Sequence, residues 1–169
     1  MALPSPINHQ DRLLSVNIHR EPGIDFGHVA PGLRLWPLFL DRDNGIWVLY
    51  ARYAGGTRMP THFHTGQVHF LTTKGRWFYE EYPEDPQTEG SYLYEPPGTV
   101  HTLHIPEDEE VVEGFMVVNG VNITFDDEGN YLGTDHAGSM EELILATARE
   151  QGVAMPRYIR PGGPARLTR

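Results

Sequence analysis

The run Thr61-His62-Phe63-His64 holds two imidazoles one residue apart. On a β-strand, residues i and i+2 point to the same face with Cα atoms about 6.6–7 Å apart. Imidazoles rooted at that spacing can converge on one cation at about 2.0–2.2 Å each. The competing reading is a pair of half-exposed histidines near a turn. A third imidazole favours the metal site. Gly90-Ser91-Tyr92-Leu93-Tyr94-Glu95 runs into Pro96-Pro97-Gly98 and then delivers His101. A Pro-Pro-Gly corner fixes the direction of the chain, and so the aim of the side chains that follow. The chain has no cysteine, so any such site must be built from His, Asp and Glu.

The elements that must position these residues read as short strands. Glycine (18) and proline (14) are frequent among the 169 residues, which favours many turns. Extended stretches alternate with turn signals about every ten residues, the spacing of an all-β barrel or sandwich. The predicted strands are Leu33–Leu40, Ile46–Tyr53, Thr61–His64, Gln67–Thr73, Arg76–Tyr82, Ser91–Tyr94, His101–Ile105, Val111–Val118 and Val121–Phe125. His101–Ile105 and Val111–Val118 are expected to pair. Asp41-Arg42-Asp43-Asn44-Gly45 and Asp126-Asp127-Glu128-Gly129-Asn130 read as hairpin turns. Pro83–Gly90 reads as a polar loop. Ahead of this core, an N-terminal arm is expected to carry one more short strand, Leu13–Ile18. One helix is expected over Ser139–Gln151, with Ser139 as N-cap and Gly152 closing it. The basic tail Pro156–Arg169 is expected to pack loosely or not at all. No repeat or linker divides the chain, so a single domain is expected, with its core at about residues 30–135.

Composition narrows the function classes. The formal net charge of −10 argues against nucleic acid, whose phosphates need a basic surface. No apolar run is long enough to span a membrane. Met1–Gln10 lacks an apolar segment, so no secretory signal is expected; with the absence of cysteine, this points to the cytoplasm.

The histidine spacings resemble those of the cupins, which carry the motifs G-X5-H-X-H-X(3–4)-E-X6-G and G-X5-P-X-G-X2-H-X3-N. Gly56, His62, His64 and Gly75 match the first; Gly90, Pro96, Gly98 and His101 match the second. The resemblance implies a jelly-roll β-barrel with one metal ion on His62, His64 and His101. Two positions depart from the pattern. The motif glutamate falls at Val68 or His69, and the closing asparagine at Ile105. A replacement carboxylate is sought in Gly75-Arg76-Trp77-Phe78-Tyr79-Glu80-Glu81. If Trp77 and Tyr79 face the interior of a strand, Glu81 faces it too and is the expected fourth ligand. A bulge would bring Glu80 there instead, and the alternative is a rim carboxylate in water. His69 could bind the metal, orient a ligand or simply pack. His104 is expected on the opposite face from His101, and His9, His19, His28 and His136 on the surface.

Within the cupins, the run from His62 through Glu81 to Glu95-Pro96-Pro97-Gly98-x-x-His101 is similar to the 2,4'-dihydroxyacetophenone dioxygenases and the related acetylacetone (β-diketone) dioxygenases. That resemblance implies a mononuclear non-haem Fe(II) enzyme that splits a carbon–carbon bond beside a ketone with O₂. Its partners would be a small aromatic or aliphatic ketone and O₂. Trp47, Phe70, Trp77, Tyr79 and Phe115 are candidates for an apolar substrate wall or for core. Zn, Mn or Ni in an isomerase, lyase or hydrolase, and a non-enzymatic sensor module, are the alternative classes. Cupins commonly pair through sheet edges and terminal arms, so a homo-oligomer, dimer or tetramer, is expected.

Overall fold

The structure is a computed structural model describing residues 14–161; His9 and the start of the predicted strand Leu13–Ile18 lie outside them. Where that strand was expected, residues 14–17 are irregular and Ile18–Arg20 forms a 3₁₀ turn capped by the Asn17 side chain. Twelve strands and one helix follow among the described residues. They are β1 (Ile24–Asp25), β2 (Arg34–Asp41), β3 (Ile46–Ala54), β4 (Thr61–His64), β5 (Val68–Lys74), β6 (Arg76–Tyr79), β7 (Gln87–Thr88), β8 (Tyr92–Glu95), β9 (Leu103–His104), β10 (Val111–Asn119), β11 (Asn122–Phe125), β12 (Tyr131–Asp135) and α1 (Ala137–Glu150).

A six-stranded antiparallel sheet runs in the order β1-β2-β3-β10-β5-β8. Two three-stranded sheets, β12-β11-β4 and β7-β6-β9, are joined by the bridges Arg58–His104 and His62–His101. Strands of the six-stranded sheet, together with β6, β9 and α1, bury their inner faces in one hydrophobic cluster, the jelly-roll arrangement expected of a cupin. Alternation does the sorting. On β3, Trp47, Leu49, Ala51 and Tyr53 are buried, and their partners on β10, Val118, Met116, Gly114 and Val112, share that face. Gly114 admits the Phe70 ring, because a Cβ there would lie 2.1 Å from it. Phe115 falls out of phase with this set. It lines a shallow outer groove with Phe39 and Val48 rather than the interior wall expected for it.

Several boundaries differ from the sequence reading. β6 stops at Tyr79, where the Tyr82 N–H closes a turn on the Tyr79 carbonyl at 2.8 Å. Within the expected loop 83–90, Gln87–Thr88 forms β7 against β6. β9 pairs with β6, not with β10, whose two neighbours are β3 and β5. The helix starts earlier because His136, expected as a surface residue, is its N-cap. Its Nδ1 accepts from the Gly138 and Ser139 amides, and Ser139 Oγ accepts from the His136 amide, a reciprocal capping box. The start of the tail is docked on the chain itself. Ile159 bonds β2 at Leu38 and Leu40, and the buried Tyr158 donates to Glu141. No helix among the described residues is long and apolar enough to cross a membrane.

Candidate metal centre

Backbone pairing brings the three histidines together. The His62 amide donates to the His101 carbonyl at 3.0 Å, and the His101 amide donates back at 2.9 Å. The Pro96-Pro97-Gly98-Thr99 corner supplies the geometry. Gly98 has φ +81°, the left-handed value that a type II turn requires after proline. Its amide ties the corner to the His64 carbonyl at 2.8 Å. The ligand atoms of His62, His64 and His101 consequently lie within 4.8 Å of one another. Nε2 of His62 and Nε2 of His101 are 3.2 Å apart.

A buried carboxylate, Glu95, adjoins two of the three histidines. Glu95 Oε2 lies 3.6 Å from His64 Nε2 and 3.5 Å from His101 Nε2, with only 5% of the residue exposed. Two donors held about 2.1 Å from one ion at tetrahedral to octahedral angles are about 3.0–3.4 Å apart, so this spacing is that of a shared ligand sphere after a small contraction. Glu95 Oε1 accepts from the Tyr79 hydroxyl, whereas Oε2, His64 Nδ1 and His101 Nδ1 are buried without a hydrogen-bond partner. A buried, unpaired carboxylate oxygen aimed at three imidazoles is costly unless a cation compensates it. The donor set therefore fits a divalent metal.

Electrostatics agree with the geometry. Burial lowers all three imidazole pKa values, taking His64 to about 3 and His101 to about 2, with the neighbouring imidazoles adding to the shift in both. Neutral imidazole is the form that ligates. The His62 tautomer is set by its Nδ1, 2.7 Å from the Pro60 carbonyl. Donation there leaves Nε2 as the free base. Burial pushes Glu95 up to about 7, with the Tyr79 hydrogen bond opposing it.

Glu81 does not join this group. Because β6 ends at Tyr79, the alternation that would have carried Glu81 inward is broken. Its carboxylate instead accepts from the Thr102 amide and hydroxyl, both at 2.9 Å, bracing the residue beside His101. Glu80, the other candidate, is paired with Arg58 and His104. His69 stands on the outer face, its Nδ1 2.6 Å from the Tyr92 hydroxyl. His104 stacks on Phe78. Tyr79 holds Glu95, and its ring stacks on His101 at 4.3 Å. Trp77 is core behind it, fully buried and donating to Thr72 Oγ1 at 2.9 Å. The missed donor had a signal in the sequence: in Tyr92-Leu93-Tyr94-Glu95, the residue that shares a face with Leu93 is Glu95.

His62, His64, Tyr79 and Glu95 sit in the wall of a cavity of about 400 Å³. Trp47, Leu49, Val68, Phe70, Leu103 and Met116 make its apolar lining, and Met140 and Leu143 of α1 close over it.

The family model described as the ChrR cupin-like domain matches residues 16–120. A protein of unknown function with a cupin-like fold from Ralstonia eutropha is 39% identical; the match covers 92% of this chain and 96% of that one, with a TM-score of 0.84. An acetylacetone dioxygenase from Acinetobacter johnsonii shares the fold at 17% identity, covering 87% of this chain and 99% of its own, with a TM-score of 0.71. No curated protein matches the sequence. This chain belongs to the ChrR cupin-like domain family.

Proposed function

We propose that the protein is a mononuclear non-haem Fe(II) dioxygenase that cleaves a carbon–carbon bond next to a ketone, acting on a 2-hydroxyketone or a β-diketone. The observation that carries this reading is the convergence of three neutral imidazoles, with the buried Glu95 carboxylate beside two of them, at an apolar cavity lined by His62, His64 and Glu95. His62, His64, His101 and Glu95 would hold the ion. Bound Fe(II) would stabilise the enolate of such a ketone and bring it into reach of O₂. The likeness to the Acinetobacter acetylacetone dioxygenase, at 17% identity, supports the fold of such an enzyme.

The residues divide the work. Proline-corner geometry and the paired backbone of His62 and His101 fix two Nε2 atoms before any ligand arrives, so little reorganisation is needed. Tyr79 holds Oε1 of Glu95 and so aims Oε2 at the imidazoles. Trp47, Phe70 and Leu49 exclude water from the cavity.

Metal analysis of the purified protein, anaerobic Fe(II) loading and oxygen-electrode assays with 2-hydroxyacetophenones and β-diketones test the proposal. The expected result is one iron per chain and O₂ uptake that depends on the ketone, both lost in His101→Ala. A site that fills with zinc, manganese or nickel and consumes no O₂ across the panel would replace this reading with a hydrolase, isomerase or lyase on the same ligands.

A further inference from the structure

The chain has five methionines, of which Met1 lies outside the described residues. Met59, Met116 and Met140 line the cavity that His62, His64 and Glu95 also line, whereas Met155 stands apart from it, 44% exposed. Met59 sits beside the histidines: its amide donates at 2.9 Å to the carbonyl of Leu103, two residues beyond His101. Met116 points inward from β10 and pairs with Phe70, which pairs in turn with Leu93. Leu93 is two residues from Glu95 on the same face of β8. Strand spacing therefore puts the Cα atoms of Met116 and Glu95 about 12 Å apart, a gap that two inward-pointing side chains narrow. Met140 reaches in from α1. Leu49, Val68 and Phe70 in the same wall resist two-electron oxidants, but a thioether sulfur does not.

We propose that Met59 and Met116 are oxidation sites, converted to sulfoxides by hydrogen peroxide that meets the iron-loaded centre. The inference rests on the iron reading given above. In the step, the thioether sulfur attacks one peroxide oxygen. The S=O bond forms as the O–O bond breaks, the other oxygen leaves as water, and the two electrons that sulfur loses are gained by peroxide. Peroxide is the two-electron reduction product of O₂, so a centre that handles O₂ is a local source of it whenever reduced oxygen escapes the substrate. Iron on the histidines promotes O–O cleavage inside the cavity, where proximity rather than exposure decides which thioether reacts. The sulfoxide then puts a polar group into an apolar wall and lowers the cavity's affinity for an apolar ligand.

The test compares protein loaded under nitrogen with Fe(II) and with Zn(II), each treated with limiting hydrogen peroxide, quenched with catalase and read by peptide mass spectrometry. Met155, the exposed thioether, is the internal control. In the iron form Met59 and Met116 should carry several-fold more sulfoxide than Met155. In the zinc form the order should reverse, because zinc has no redox chemistry and exposure then decides. Met155 leading in the iron form, or the same order in both forms, overturns the proposal. A chain that takes up no iron overturns it together with the dioxygenase reading. Ketone-dependent O₂ uptake with Met155 oxidised first would sink this proposal alone, and cavity-first oxidation with no O₂ uptake across the ketone panel would sink the dioxygenase reading alone.

Discussion

Two clusters of histidine and tyrosine sit back to back across β5 and β8. Inside are His64, His101, Tyr79 and Glu95; outside are His69, Tyr92 and Tyr94. The residue types are nearly the same, and the hydrogen bonds look alike: Tyr79 to Glu95 within, Tyr92 to His69 without. What separates them is one step of strand alternation. Tyr94 pairs with His69 and faces solvent, 47% exposed, while Glu95 pairs with Val68 and is buried. The inner groups have lost water, so their protonation states and unpaired atoms carry energy. The outer ones have water as a partner of last resort, and their contacts are worth little.

That contrast should show most strongly in the pH dependence of the metal-free protein. His62, His64 and His101 are depressed in the fold. Their contribution to stability is present above their ordinary value of 6.5 and is lost as pH falls below it, because the unfolded chain takes up protons that the fold refuses. Glu95 is raised from 4.5 to about 7, so it acts in the opposite sense, stabilising at low pH and losing that contribution as pH rises through 7. As pH falls from 6.5 toward 5, unfolding comes to take up nearly two protons at His64 and His101 and releases about one at Glu95, with His62 adding uptake in the same direction as the other imidazoles. A net uptake of at least about one proton predicts a loss of about 1–3 kcal/mol per pH unit. Urea denaturation of chelator-treated protein at pH 7, 6 and 5 measures it, and a stability that stays flat or rises toward pH 5 would show that the cluster is not desolvated.

The second prediction sets the two candidate carboxylates against each other. Glu95→Gln should lower metal affinity about 10–100-fold, read by competition with a chromophoric chelator. Glu81→Gln should leave metal affinity unchanged and cost about 1 kcal/mol in stability, since it weakens one of two bonds to Thr102 at an exposed position. The reverse pattern would return Glu81 to the ligand set.

The difference between these carboxylates also shows where the sequence was legible. His62, His64 and His101 could be found because H-x-H and the Pro-Pro-Gly corner are local, and their consequences need no knowledge of other strands. Leu33–Leu40, Ile46–Tyr53 and Val111–Val118 followed from alternation and turn residues in the same way. Glu81 failed because its aim depends on where β6 ends, and that is set by the turn Tyr79–Tyr82 rather than by the pattern of Trp77 and Tyr79. Glu95 was within reach, since alternation along β8 puts it with Leu93. The approach of Met116 to Glu95 was not, because it exists only once the register of three strands is known. β7 was hidden for a related reason: its two residues carry no pattern of their own and are strand only by pairing with β6.

The smallest expected effect belongs to the outer cluster, and it makes the comparison sharper than a large one would. His69 binds Tyr92 at 2.6 Å and packs against Tyr94 at 5.5 Å between ring centres; on distance alone this is as good a contact as any at the centre. Tyr92 is 64% exposed, however, so when His69 is removed its hydroxyl turns to water at little cost. His69→Ala should therefore change stability by no more than about 0.5 kcal/mol and leave the metal content of the protein as it was. Thermal unfolding and metal analysis of the variant check both halves. A loss of metal would mean that the outer face reaches the ligands through β5, by way of Val68 and Phe70, and that the two faces of this strand are energetically coupled.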